Sequence, residues 1–219
     1  MEMEVLSAFN IFAEEYDEWY RKEPGSLIFE SEMKAVEALA TKGLGVEVGV
    51  GTGVFSSRLG VFLGVDSASR MIKIAKKKGV NVVQALGELL PIKNECLDYV
   101  LFVFTICFLK DTQASLRETW RILKNGGNIV IGFVPRNSKW GRNYLKKKTD
   151  GHRFYKHANF YTLDEVKEIL EREGFRITKS SATLLQEPDM ITKAEEPSTD
   201  VSGRGFVCVK AVKTLEGKS

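Results

Sequence analysis

The chain of 219 residues holds only two histidines and three cysteines (Cys96, Cys107, Cys208), the latter far apart and odd in number. No CxxC or HxxxH pair exists, so a disulfide framework and a structural zinc site are both excluded and no metal site is expected. Long apolar runs are also missing. The longest uncharged stretch, Tyr99 to Leu109, has 11 residues, well short of the ~20 that a membrane span requires. The start, Met1-Glu2-Met3-Glu4, is acidic and has no apolar segment, so no signal peptide is expected and a reduced, cytoplasmic setting is. Neither sign of charge dominates, with 32 Lys+Arg against 29 Asp+Glu, and a net charge of +3 makes no case for nucleic acid from the total. With 43% hydrophobic and 28% charged residues, disorder is ruled out, and the length suits one domain over residues 1–219.

What the chain does have is an alternation of short apolar runs with helical patterns, as in a parallel sheet covered by helices on both faces. A helix is expected from Ser26 to Gly43, then a strand over Leu44–Val48, the turn Gly49-Val50-Gly51-Thr52-Gly53, and a short helix at Phe55–Leu59. Further strands are expected at Val61–Asp66, Val80–Ala85, Leu97–Thr105 and Asn128–Val134. Helices over Ala68–Lys78 and Asp111–Leu123 lie between them, the second stopped by Asn125-Gly126-Gly127. Thr162 and Glu165 form a capping box ahead of the stripe Leu163, Val166, Ile169, Leu170. Phe175–Leu185 and Gly205–Val212 alternate as strands with only a polar loop between them, which predicts an antiparallel pair.

The chemistry concentrates at the glycine turn. Between a strand and a helix, Gly49, Gly51 and Gly53 permit positive φ and let a ligand approach the backbone. Glu47 precedes the turn, and Asp66 closes the next strand, where a carboxylate can accept both hydroxyls of a ribose. A dinucleotide fingerprint would place its last glycine at Val54, and Glu47 would repel a pyrophosphate, so a nicotinamide-dependent oxidoreductase is disfavoured. E-x-G-x-G-x-G suits a cationic ligand that carries an amino acid and a ribose.

In these residues the sequence resembles the class I S-adenosylmethionine-dependent methyltransferases, in particular the small-molecule group that includes ubiquinone/menaquinone-biosynthesis enzymes. The resemblance runs through Val46–Gly53, Gly64-Val65-Asp66 with Met71, Leu90-Pro91-Ile92, Leu97–Val100, Leu116–Gly127 and Tyr161–Phe175. It implies an α/β fold, a doubly wound, seven-stranded, mostly parallel sheet with an antiparallel last strand, which is the Rossmann-like methyltransferase fold. It implies S-adenosylmethionine as cofactor, leaving as S-adenosylhomocysteine. By position, Glu47, Gly49, Gly51 and Gly53 would hold the methionine portion and Asp66 the ribose. Ser67 and Met71 would flank the adenine, Leu86, Gly87 and Glu88 would meet its edge, and Val103 would offer a backbone contact. Leu86 departs from the pattern, because it stands where relatives carry an acid that accepts the adenine amino group; either Glu88 substitutes or the backbone alone reads the edge.

Arg136 to His157 is the other unusual segment. It holds eight Lys/Arg against one acid, Asp150, while the rest of the chain carries 24 against 28, and both histidines fall within it. Residues 135–160 are expected to form a substrate lid, and residues 1–25, with Tyr16-Asp17 and Trp19 on a helix, a cap over the cofactor. Tyr16, Trp140, Arg142 and Arg153 are the candidate substrate contacts, and His157, His152 and Tyr155 the candidate bases. Three functions compete. The first is methyl transfer to a small, anionic molecule. The second is an RNA methyltransferase that uses the basic segment on phosphates and the aromatics on bases. The third is a non-catalytic cofactor-binding protein. The nucleophilic atom and the oligomeric state stay open.

Overall fold

The structure, a computed structural model, describes residues 2–214. In chain order the elements begin with α1 (Glu2–Ile11), α2 (Ala13–Trp19), α3 (Gly25–Glu37), β1 (Gly45–Val48), α4 (Val54–Leu59), β2 (Leu63–Asp66), α5 (Ser69–Lys77) and β3 (Val82–Gln84). They continue with β4 (Leu97–Val103), α6 (Thr112–Ile122), β5 (Leu123–Phe133), α7 (Lys139–Thr149), α8 (Leu163–Arg172), β6 (Phe175–Thr183) and β7 (Phe206–Lys213). The strands form one seven-stranded sheet in the order β3-β2-β1-β4-β5-β7-β6. β7 runs antiparallel to both neighbours, and every other pair is parallel. The doubly wound fold expected from the resemblance is therefore present.

Side chains along a strand alternate between faces, and in β4 both faces are buried. Val100 and Phe102 join one core with Val46, Val48, Ile129 and Ile131, covered by Leu116 and Ile122 of α6 and Val166 and Leu170 of α8. Leu101 and Val103 join the other with Val130, Phe206 and Cys208, covered by Ile28, Met33 and Val36 of α3. Strand order reverses between β1 and β4, and ligands of such sheets bind beyond the strand ends at that point.

Four local features differ from expectation. The cap is two helices, because Phe12 (φ −107°, ψ 22°) breaks the run between α1 and α2. α3 starts at Gly25, where a Cβ would lie 2.0 Å from the Trp19 carbonyl oxygen, so the glycine is what lets the cap approach the helix. α6 stops at Ile122 and β5 begins at once, so Asn125-Gly126-Gly127 lies within the strand; the irregularity between the Leu97–Leu123 and Tyr99–Asn128 pairings absorbs it. Half of the basic segment is helical, α7, capped by Ser138 Oγ accepting from Gly141 N at 2.9 Å. No helix among the described residues is long and apolar enough to cross a membrane.

Candidate active site

A cleft of about 520 Å³ opens beyond the ends of β1 and β2 and beneath α1. The turn after β1 forms one wall. Gly49 (φ +73°) donates its N–H to the Val65 carbonyl at 2.7 Å, and a Cβ there would lie 2.3 Å from Thr105. At Gly51 (φ +52°) a Cβ would meet nothing nearer than Tyr16 at 3.9 Å, because it would project into the cleft itself. Asp66 spans the next corner: Oδ2 accepts from Gly51 N and Oδ1 from Ala68 N, each at 2.8 Å. Each carboxylate oxygen has a second acceptor site, so the pair can still receive two hydroxyls. Burial pushes the Asp66 pKa up, against the pull of backbone N–H groups of Ala68, Gly51 and Ser67. Ser67, Met71, Leu86, Gly87 and Leu109 give a flat, mostly apolar slot beyond it, and Val103 lines the floor. Glu88 lines the slot too, but its Oε1 already accepts from Lys110 N (3.0 Å) and Asp111 N (3.1 Å). A bare glycine backbone, a two-oxygen acceptor and an apolar slot, in that order, fit an amino-acid-bearing nucleoside.

Two residues expected here are not on the cleft wall. Glu47 points to the opposite face of β1, where it is buried and accepts from Ser56 Oγ of α4. Burial pushes its pKa up to about 8, the Ser56 bond opposing. Gly53 is turned away as well: a Cβ there would lie 2.9 Å from the Ala75 side chain, so this glycine serves helix packing.

A second cavity, about 260 Å³, lies deeper under the cap and lid. It shares Phe9, Tyr16, Phe104 and Phe108 with the first, so the two meet at these rings. Its walls are aromatic. Tyr144 stacks on Tyr155 (4.5 Å, 17°), Tyr155 on His152 (4.6 Å, 24°), and the Tyr16 and Tyr20 hydroxyls lie 2.9 Å apart. Ion pairs hold the cap down. Buried Asp17 reaches Arg21 at 2.5 Å and Lys78 of the α5 end, Glu14 accepts from Arg70 at 2.8 Å, and Glu15 pairs with Arg153 of the lid.

The candidate base and substrate residues divide. His152, Tyr155, Arg153 and Tyr16 line the second cavity. His157 instead lines the first cleft, with its Nε2 buried and without a hydrogen-bond partner among the described residues. Trp140 lines neither cavity: it is buried, donates to the Gln186 carbonyl at 2.8 Å and packs where Gly205 leaves room. Arg142 also lies outside both cavities and donates to the Asn137 carbonyl at 2.7 Å. Burial, opposed by the hydrogen bond with Tyr144, pushes the Tyr155 phenol up to about 12, so it stays protonated at neutral pH. Burial lowers the pKa of both histidines. His152 Nδ1 accepts from Phe154 N at 3.4 Å, which leaves the hydrogen of the neutral ring on Nε2.

Several site residues carry no motif. Thr105 Oγ1 donates to the Val48 carbonyl at 2.9 Å and fills the space beside Gly49. Phe104 adopts φ +58°, rare for a bulky residue, and this turn out of β4 swings its ring between the two cavities. Glu32, Tyr20 and Phe9 come from helices whose periodicity signals only packing. For Phe9 and Tyr20 the aromatic density of the first twenty residues was a usable sign.

A family model described as a methyltransferase domain matches residues 46–131. An uncharacterized protein of Methanocaldococcus jannaschii is 38% identical over 208 residues, covering 95% of this chain and all of that one. A demethylmenaquinone methyltransferase of Thermotoga maritima is 29% identical over 136 residues, covering 52% of this chain and 59% of its own length. The crystal structure of a Thermotoga maritima SAM-dependent methyltransferase, named a possible histamine N-methyltransferase, superposes with a TM-score of 0.90 at 37% identity, covering 96% of this chain and 100% of that one. With the fold, the glycine turn and Asp66 in place, the chain belongs to the S-adenosylmethionine-dependent methyltransferases, and its cofactor is S-adenosylmethionine.

Proposed function

We propose that this enzyme methylates a small molecule lodged in the aromatic cavity, by in-line displacement at the junction of the two cavities. The observation that carries this reading is the wall of Phe9, Tyr16, Phe104 and Phe108, which belongs to both. Gly49, Gly51 and Asp66 hold the methionine and ribose portions of the cofactor, and Ser67, Met71, Leu86 and Gly87 enclose its adenine. The bound sulfonium supplies an activated methyl group. The chain's own task is then to align an acceptor atom and keep water out, which contact with rings accomplishes. Domain organisation follows the same division: one domain over 1–219, with residues 1–25 as its cap and 135–160 as its lid.

The cavity volume suits a ligand of modest size, and much of the basic segment has internal partners. Arg136 pairs with Glu165 (2.7 Å), Lys139 with Glu187 (2.8 Å), Arg153 with Glu15, and Lys148 donates to the Ala158 carbonyl (2.5 Å). These contacts favour a small molecule over RNA. No base is required when the nucleophile is already unprotonated, and His152 and His157 serve as positioning groups around the two cavities.

The experiment is transfer of labelled methyl from S-adenosylmethionine in an extract, with label counted in low-molecular-weight, RNA and protein fractions. Label in the first is expected. Label confined to RNA or protein would refute the small-molecule reading. Replacing both histidines by glutamine is expected to change turnover less than about tenfold; a loss of about a thousandfold would reinstate one as general base.

A further inference from the structure

We propose that the aromatic cavity selects an acceptor carrying a protonated amine, and that Glu32 is the side chain that recognises it. The proposal rests on the reading above, in which this cavity holds the acceptor. Glu32 sits on α3, is only 2% exposed, and lines the cavity. Its Oε2 is buried and has no hydrogen-bond partner among the described residues. The other acids of the helix behave differently: Glu30 and Glu37 face outward toward Arg58. A buried carboxyl with a free oxygen destabilises a fold unless something supplies the missing partner. Desolvation alone holds the Glu32 pKa well above the usual carboxylate range, which disfavours the charged form until an incoming cation offsets the lost hydration.

The surroundings specify which partner. Tyr144 and Tyr155 line the same cavity but are stacked on each other, while Tyr16 and Tyr20, also in its wall, meet their neighbours edge-on; an aromatic face attracts an ammonium. The two cations at the rim each have a contact of their own. Arg153 pairs with Glu15 and lies 4.4 Å over the Phe12 ring, and Lys147 lies 5.4 Å over the Tyr144 ring. An ammonium would therefore gain a charge-assisted hydrogen bond to Oε2 together with ring faces that its neutral isostere uses less well. An anion would gain no opposite charge here, since it would meet a carboxyl held toward its neutral form and the negative faces of the rings. Selection here is a difference between ligands, and the repelled ligand is part of the design.

Three probes of one shape decide it: phenethylamine, phenethyl alcohol and phenylacetate, titrated calorimetrically into the full chain with and without S-adenosylhomocysteine, for the native protein and for Glu32→Gln. Phenethylamine is expected to bind about tenfold more tightly than either other probe, and Glu32→Gln to bring it within about threefold of the alcohol. Equal binding of all three, tightest binding of phenylacetate, or an unchanged amine preference in Glu32→Gln would each overturn the proposal. If Glu32→Gln does not fold, the ranking of the probes on the native protein and on Glu32→Asp decides alone. The S-adenosylhomocysteine titration separates the two levels of the argument. Cofactor binding without amine preference refutes the amine site only, whereas a Glu32-dependent amine preference without cofactor binding refutes the methyl-transfer reading and leaves the amine site standing.

Discussion

Burial of Glu47 makes stability depend on pH in a direction opposite to that of a paired surface acid. Its carboxyl is 2% exposed on β1, and burial, opposed by the Ser56 bond, raises its pKa from 4.5 to about 8. The folded state thus binds this proton more tightly than the unfolded chain does. The stabilisation is complete below about pH 4.5 and is lost as pH rises through about 8. Within that window one group contributes a slope a little over 1 kcal/mol per pH unit, or about 3 kcal/mol between pH 5.5 and 7.5. Glu47→Gln removes the titration and keeps an oxygen for Ser56 to donate to. The assay is urea unfolding of both proteins at several pH values across the window. Whatever its absolute stability, the variant is expected to lose less stability than the native chain as pH rises, by about 3 kcal/mol over those two units. Comparing the pair cancels other titrating groups, Glu32 included. Parallel curves, or a gap that widens in the other direction, would refute the assignment of a buried, neutral carboxyl.

Three further outcomes follow from the same geometry. Leu86→Asp restores an acceptor at the adenine edge where the native leucine is 42% exposed, so S-adenosylhomocysteine is expected to bind about fivefold more tightly, about 1 kcal/mol by calorimetry; weaker binding would show that the edge is read by backbone alone. Asp17→Asn takes from Lys78 its carboxylate partner, leaving the 3.5 Å contact with the Thr52 hydroxyl, and loosens the cap beside Tyr16. A loss of about 1–3 kcal/mol in unfolding free energy, together with weaker S-adenosylhomocysteine binding, is expected, and an unchanged affinity would show that the cap does not bear on the cofactor. Thr162→Ala removes the hydroxyl that accepts from Glu165 N, at an expected cost of about 1 kcal/mol to α8 and no change in methyl transfer, measured by thermal unfolding and turnover.

The parallel half of the molecule was readable because its sequence signals are local. Leu44–Val48 and the glycine turn are consecutive and Asp66 closes the very next strand, so one strand–turn–helix–strand unit places Gly51 and Asp66 against one cleft with no distant information. Spacing did not reveal the side of the strand. Glu47 precedes the glycines at a suggestive distance, yet the two-residue period of β1 turns it to the α4 face, one residue out of phase with Val46 and Val48. Trp140 and Arg142 failed for a related reason. Composition marked the whole 136–157 window, but once it coils into α7, Trp140 faces the core and Arg142 its own approach loop, and only Lys147 and Tyr144 of that helix reach the cavity. The β-strand start at Leu123 is a tertiary effect: pairing with Leu97 outweighs the helix-stopping signal of Asn125-Gly126-Gly127, which then falls inside the strand.

The two halves of the site therefore differ in how they are built. The cofactor cleft is made largely of backbone and of Asp66, held by hydrogen bonds within consecutive turns, and side chains enter it mostly as apolar cover. The cavity proposed for the acceptor is made of side chains from α1, α2, α3, α7 and the turn after β4, segments far apart in the chain that Asp17, Glu14 and Glu15 help to hold together. A cavity assembled in this way can change its residues without disturbing the glycine turn, so cofactor chemistry and acceptor choice are separable. The same arrangement links the second cavity to the fixing of the first two helices, because Tyr16 touches both cavities while its neighbour Asp17 pairs with Lys78. With the first two helices in place the aromatic wall is complete and the cleft beside Gly51 is covered, so one set of contacts shields both cavities from water.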